Sequence, residues 1–296
     1  MANEVAAQPK SSIASYLTND KVRENIEKVV GTANMQSFVS SIVSAVQTNP
    51  ELAKCSNSSI MSVGLLMQSL KLPPSPQLGY AYFVPYKNKA GGFDATFQMS
   101  AKGMIQLAQR SGQYRKLNVS DVREGEIKKF NPILDDYEFE PIQDPGQREQ
   151  AKIIGYYGYF EMINGFKKGL YMSIEQLLNH AKKYSVSYRS DLKYGNNKSL
   201  WSGDTQGMMC EKTVIKRLLS KYGVMSVEME HGFVNDQAVV SDNGPVYVDS
   251  QPDEPEPAVD VYETVTTEES LEDEMPFADV EGVIDGNSDN SNKKDK

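Results

Sequence analysis

Cysteine is nearly absent from this chain: there are two, Cys55 and Cys210, with no CxxC spacing. No disulfide framework holds such a chain together, and a reducing compartment fits it. Histidine is as scarce. His180 and His231 lie far apart with no metal-like partner spacing, and His180, in LLNHAKKY, reads as an ordinary surface or core histidine. No apolar run approaches the ~18 residues that a membrane span needs. The first residues, MANEVAAQPKSS, lack an apolar h-region, so no secretory signal is expected and the expected location is the cytoplasm. No G-x-x-x-x-G-K-[ST] occurs, which removes the default phosphate cradle of a nucleotide-driven motor. No cofactor is expected.

Acidic clusters are present but poorly arranged for a metal-dependent nuclease, which gathers several carboxylates around its ions. Asp135 and Asp136 are adjacent, which sends them in different directions or marks a turn. Glu124 and Glu126 flank Gly125 in REGE, where a turn or an ion pair with Arg123 is the simpler reading.

The charge is unevenly spread. The formal net charge is −9, yet residues 236–296 hold 18 Asp+Glu against 3 Lys, a net of −15, leaving 28 Lys+Arg against 22 Asp+Glu, a net of +6, in residues 1–235. Such asymmetry points to an anionic partner for the basic part. Three segments are expected: 1–20, polar and disordered; 21–235, the folded domain; and 236–296, a disordered acidic tail too poor in apolar residues to fold alone.

Within 21–235, helical spacing covers Lys21–Val46, broken at Gly31, and again about Ser59–Leu70. LKLPPSPQ ends that helix. GYAYFVPY (79–86) and FDATFQM (93–99), around a Gly-Gly loop, read as a hairpin, and a helix follows over about Ser100–Arg110. Further strands are expected at 116–124, 137–141 and 152–163, the last returning through Asn164-Gly165 into 167–172. Ser173 and Gln176 form a capping-box pair for a helix to about Tyr184. Residues 185–203 read as a polar loop, 208–222 as a helix and VMSVEM (224–229) as a short strand. Hairpin connections make this α+β, an antiparallel sheet with segregated helices.

The stretch MMCEKTVIKRLLSKY (208–222) places Met208, Val214, Ile215, Leu218, Leu219 and Tyr222 on one helix side and Lys212, Lys216, Arg217 and Lys221 on the other, with no acid interrupting the cations. Two readings stand: a solvated face whose cations complement the helix C-terminus, or a surface for a polyanion. Elsewhere Lys87 and Lys89 lie in the hairpin loop, Lys102 and Arg110 share a helix face with Gln106 and Gln109, Arg115 and Lys116 follow Tyr114, and Trp201 precedes the basic helix. Cations neutralise phosphates and flat rings stack on unpaired bases. Tyr80, Tyr82, Phe83 and Tyr86 read as core and sheet-face residues.

The runs GYAYFVPY, FQMSAKGMIQLAQRSGQYRKLNVSDVREGE and W…MMCEKTVIKRLLSKYGVMSVEM, in order over roughly residues 20–232, strongly resemble the RecT family of phage single-strand annealing proteins. The resemblance implies a Rad52-like ββ(β)α core and ATP-independent pairing of complementary strands in phage-type homologous recombination, by a binding protein and not an enzyme. It implies single-stranded DNA and the annealed duplex intermediate as ligands, self-assembly into a ring or helical filament, and a phage exonuclease and the host single-strand-binding protein as partners in the bacterial cell. Lys102 and Arg110 match the basic residues of the family's helix after the hairpin; Lys212, Lys216 and Arg217 match its KTxIRR-like segment, and Trp201 its preceding aromatic. MSAKG departs from the family pattern, where a Gly-Tyr pair tends to precede the basic residue. The rival readings are a metal-dependent nuclease and a passive single-strand-binding protein. In the tail, EDEMPF (272–277) resembles the acidic Pro-Phe tip of bacterial single-strand-binding proteins, a short motif that chance also produces.

Overall fold

A computed structural model describes residues 12–75, 77–88, 90–131, 133–134, 136–241 and 244–247. Residues 1–11, Lys89, Asp135 and residues 248–296, with EDEMPF among them, lie outside the described residues.

The chain opens with α1 (Ile13–Leu17), α2 (Asp20–Val30), α3 (Thr32–Thr48) and α4 (Asn57–Ser69). Gly31, at φ 79°, makes the expected break between α2 and α3, a conformation that costs glycine little. Among the described residues no single helix is long and apolar enough to cross a membrane. Ile26, Val30, Phe38, Ile42, Ile60, Val63 and Met67 turn inward from α2 to α4 and build much of the main core. α1 lies in the segment expected to be disordered; Leu17 ties it down by burying fully.

β1 (Ala81–Lys87) and β2 (Phe93–Met99) pair antiparallel from Ala81↔Met99 to Lys87↔Phe93. Asn88 closes the loop: its N–H donates to the Gly92 carbonyl, and its side chain accepts from the Gly92 N–H at 2.8 Å. α5 (Ala101–Arg110) follows at once, capped by Ser100, whose hydroxyl accepts from the Gly103 N–H.

β3 (Tyr114–Arg123), β6 (Ile153–Met162) and β7 (Lys167–Ser173) form a second antiparallel sheet in the order β3-β6-β7. Between β3 and β6 stand β4 (Ile127–Asn131), β5 (Asp136–Phe139) and the short α6 (Pro145–Gln150). Among the described residues β4 pairs only with β5, and it leaves no alternating apolar signal in the sequence, because Lys128, Lys129 and Phe130 are all exposed. α7 (Ile174–Tyr184) carries the expected capping box, with Ser173 and Gln176 bonded reciprocally.

Three expectations give way. The polar stretch after Ser185 contains α8 (Val186–Tyr194), capped by Ser185 and ended by Gly195 in the left-handed conformation. Its Val186, Leu192 and Tyr194 are exposed, so no buried stripe announced it. After α9 (Gln206–Tyr222), the expected strand at 224–229 is the approach to α10 (Val227–Asn235). Ser226 caps that helix, and Met229 and Phe233, four apart, are its buried face. Residues 236–247, expected in the acidic tail, carry Asp236 into the interior and form β8 (Ala238–Ser241) and β9 (Gly244–Tyr247). β8 joins β2, giving the order β1-β2-β8-β9. Among the described residues the strands thus fall into three sheets, antiparallel throughout their ladders.

Candidate nucleic-acid interface

α9 crosses the β3-β6-β7 sheet at its central strand. A Cβ on Gly158 would lie 3.0 Å from Val214 and 3.1 Å from Leu218, so the missing side chain is what allows the helix to sit low on β6. Val214, Ile215, Leu218 and Leu219 are fully buried. Hydrophobic burial on several sides anchors α9 firmly enough to hold cations in fixed places.

Those cations do not form the uninterrupted stripe expected from the sequence. Lys212 is 7% exposed and Asp236 1%. The Lys212 ammonium donates to Asp236 Oδ1 at 3.1 Å, and Lys216 donates to Oδ2 at 2.9 Å. The Met99 N–H also donates to Oδ1, at 2.8 Å. Burial alone would raise the Asp236 carboxyl; the two ammonium groups and the Met99 amide override it and hold it below the ordinary carboxylate range. The acid that interrupts the stripe comes from beyond α10, so no reading of α9 alone reveals it. Lys212 is thereby a buried structural cation, and Lys216 is half-buried beside it.

Arg217 and Lys221 keep the exposed role. Arg217 lies close enough to His180 on α7 to depress it, together with Lys216 and Lys183; burial is the larger cause, and the imidazole is held down to about 4. Lys183, missed in the sequence, thus belongs to the same basic neighbourhood. The Lys221 ammonium lies 5.2 Å from the Tyr222 ring centre, and Lys168 of β7 lies 4.6 Å from it. Each distance is within the reach of a cation–π contact.

The remaining predicted residues lie outside α9. Trp201, expected as a stacking ring, is 5% exposed and packs in a smaller core with Tyr156, Met172, Leu177, Cys210 and Val214. The nearby turn is built by Asp191, whose carboxylate accepts from the Lys198 and Ser199 amides and the Ser202 hydroxyl. Lys102 is exposed on α5, 5.2 Å from the Tyr80 ring centre. Arg110 is exposed but engaged, its guanidinium donating to the Leu70 and Lys71 carbonyls at 2.9 and 2.8 Å and closing the end of α4. Lys87 is exposed at the end of β1. Arg115 and Lys116 converge on the buried Glu161 at 3.3 and 3.8 Å, joined by Lys167 at 3.7 Å. Lys167 and Lys168 escaped notice as the start of a returning strand.

Of the acids considered for a metal site, Glu126 is held by arginines and Asp136 pairs with Lys129 at 2.9 Å. Arg148 donates to Glu126 at 2.7 Å, Glu126 also accepts from the Arg123 backbone N–H, and the Arg123 and Arg148 guanidinium groups engage Asp121. Burial pushes both carboxyls up, but these bonds outweigh it and leave each below its ordinary range.

The RecT family model matches residues 36–260. The chain is similar to protein YqaK of Bacillus subtilis (strain 168), 36% identical over 234 residues that cover 79% of this chain and 75% of that protein. It is also similar to Protein RecT of Escherichia coli (strain K12), 28% identical over 236 residues that cover 78% of this chain and 82% of that protein.

Proposed function

The chain belongs to the RecT family, and on that premise we propose that it binds single-stranded DNA and anneals complementary strands without ATP in phage-type homologous recombination. The observation that carries this reading is the family match over residues 36–260, which takes in every cation of α5, β3 and α9 named above. The hairpin β1–β2 running straight into α5 is the order that a Rad52-like ββ(β)α core requires.

Two polyanions repel as they approach, and fixed cations lower that barrier without covalent chemistry. Arg217, Lys221 and Lys183 supply the exposed charge beside α9; Lys87, Lys102, Arg115, Lys116 and Lys167 extend it along other elements. Lys89, in the hairpin loop, is assigned the same role from its sequence position. Arg110 and Trp201 support the scaffold, as do Lys212 and Lys216 through Asp236. Contacts of this kind carry no sequence preference, which leaves recognition to base pairing between the strands. Copies of the chain assemble on the DNA as a ring or filament, and a phage exonuclease and the host single-strand-binding protein supply and hand over the strands. The site is the bacterial cytoplasm.

The test uses labelled complementary oligonucleotides without nucleotide triphosphate. Arg217→Ala with Lys221→Ala leaves the buried pairs intact and is expected to slow annealing and to lower the salt slope of single-strand binding by about 1.4, at ~0.7 per phosphate contact. A folded double variant that anneals at the wild-type rate removes these two residues from the interface. Cleavage of the strands with Mg²⁺ would instead favour the nuclease, and protection without annealing the passive binder.

A further inference from the structure

One face of the β3-β6-β7 sheet lies under α9 and presents Tyr156, Gly158 and Phe160 to the interior. Side chains alternate along a strand, so Tyr157, Tyr159 and Glu161 stand on the other face. Their neighbours there are Ser120, Asn118 and Lys116 of β3 and Tyr171, Gly169 and Lys167 of β7. The β4–β5 hairpin covers half of this face, setting Phe139 on Tyr157 at 4.6 Å and Tyr137 against Tyr157 and Tyr171 at 5.6 and 6.2 Å.

Tyr159 lies past that cover. Its ring is half-buried, 6.5 Å from Tyr157 and inclined to it by 24°. Beside it, Gly169 has no side chain, and a Cβ there would come within 2.0 Å of the Tyr157 hydroxyl. The Tyr157 phenol therefore lies over Gly169 and continues the aromatic surface beside the Tyr159 ring. At the same end Arg115, Lys116 and Lys167 surround Glu161. Three cations against one carboxylate leave a surplus of two positive charges on an exposed rim.

We propose that this open half of the sheet is a stacking site for an unpaired base of single-stranded nucleic acid, with the Tyr159 ring under the base and Lys116, Lys167 and Arg115 on the flanking phosphates. The proposal rests on the single-strand binding proposed above and adds a second contact surface, on the side of β6 opposite α9. Every base has a π-face, so one flat ring serves any sequence. Aromatic side chains on an antiparallel sheet are a general means of holding splayed bases. A second copy of the chain docking the same face would bring like charges together, which opposes association; a polyanion meets the opposite sign.

The test is fluorescence anisotropy of the full chain with a labelled single strand and with the same strand carrying abasic sites. Tyr159→Leu keeps apolar bulk and removes the ring, whereas Tyr159→Phe keeps the ring. Wild type and Tyr159→Phe are expected to prefer the strand with bases, and Tyr159→Leu to lose about 5- to 150-fold of that preference, the range of one base–aromatic stack. Lys116→Ala with Lys167→Ala is expected to lower the salt slope by about 1.4. A folded Tyr159→Leu protein with an undiminished preference overturns the proposal. So does one that keeps its DNA preference but changes oligomeric state, which assigns the face to a second copy. In either case wild-type annealing stands, so the proposed function survives; a wild type that binds no single strands ends both.

Discussion

Asp236 is the residue on which the basic helix depends most. It pairs with both Lys212 and half-buried Lys216 while accepting the Met99 N–H. Removing one member of a buried ion pair strands its partner, which costs roughly 3–5 kcal/mol, while replacing the whole pair by apolar groups costs far less. Asp236→Ala is therefore expected to lower stability by about that amount in chemical denaturation, and Lys212→Met combined with Asp236→Leu by less than Asp236→Ala alone. Additive losses would show that the pair is not coupled. Replacing Lys212 to probe DNA binding thus confounds stability with function, which the sequence did not reveal: the partner acid stands 24 positions further along the chain. His180 offers a pH test. Its ordinary value of 6.5 is held down to about 4 by burial and then by Arg217, Lys216 and Lys183. Between those values the unfolded chain binds a proton that the folded chain does not, so stability falls as pH drops from 6.5 to 4, by about 3 kcal/mol in total. His180→Gln is expected to flatten that slope, as read from denaturant midpoints at pH 7, 5.5 and 4.5.

At the scale of elements, what the sequence disclosed was whatever short-range chemistry dictates. The β1–β2 hairpin, the helix that follows it, the Ser173 cap and the break at Gly31 all follow from neighbours within a few residues. The elements that escaped are those whose apolar signal is weak or whose ends are set from afar: β4, α8 and α10. Close approach is another long-range fact. A Cβ on Gly103, in α5, would stand 2.1 Å from the Tyr80 carbonyl oxygen and 2.9 Å from Met99 Cγ. A backbone oxygen at the mouth of a hairpin does not swing aside as a side chain does. Gly103→Ala is expected to cost at least 1–3 kcal/mol, the usual penalty of overpacking, despite alanine's better helix propensity. A thermal midpoint at or above wild type would contradict the close packing of α5 against β1.

At the scale of the molecule, the fold runs further than the change of composition suggests. β8 and β9 continue the β1–β2 sheet to Tyr247, inside the stretch expected to be tail. The boundary was illegible because Asp236 looks like the first acid of the tail and is instead the buried partner of two lysines. Ending the chain after Asn235 is therefore expected to destabilise it severely, whereas ending it after Tyr247 leaves Asp236 and both strands in place. The second truncation removes 16 acids and 3 Lys, a net of −13. If those acids compete with DNA for the cations, single-strand affinity rises at low salt and converges with the full chain at high salt; equal affinity at both removes that competition.

The proposed function requires this chain to accelerate the pairing of complementary single strands with no energy source but base pairing. Stopped-flow quenching of two labelled complementary oligonucleotides, mixed with the full chain and without ATP, measures it directly. The expected result is faster pairing than for the naked strands, a benefit that shrinks as salt rises and no shortening of either strand. Pairing no faster than the naked strands, or shortened strands in its place, would contradict that function.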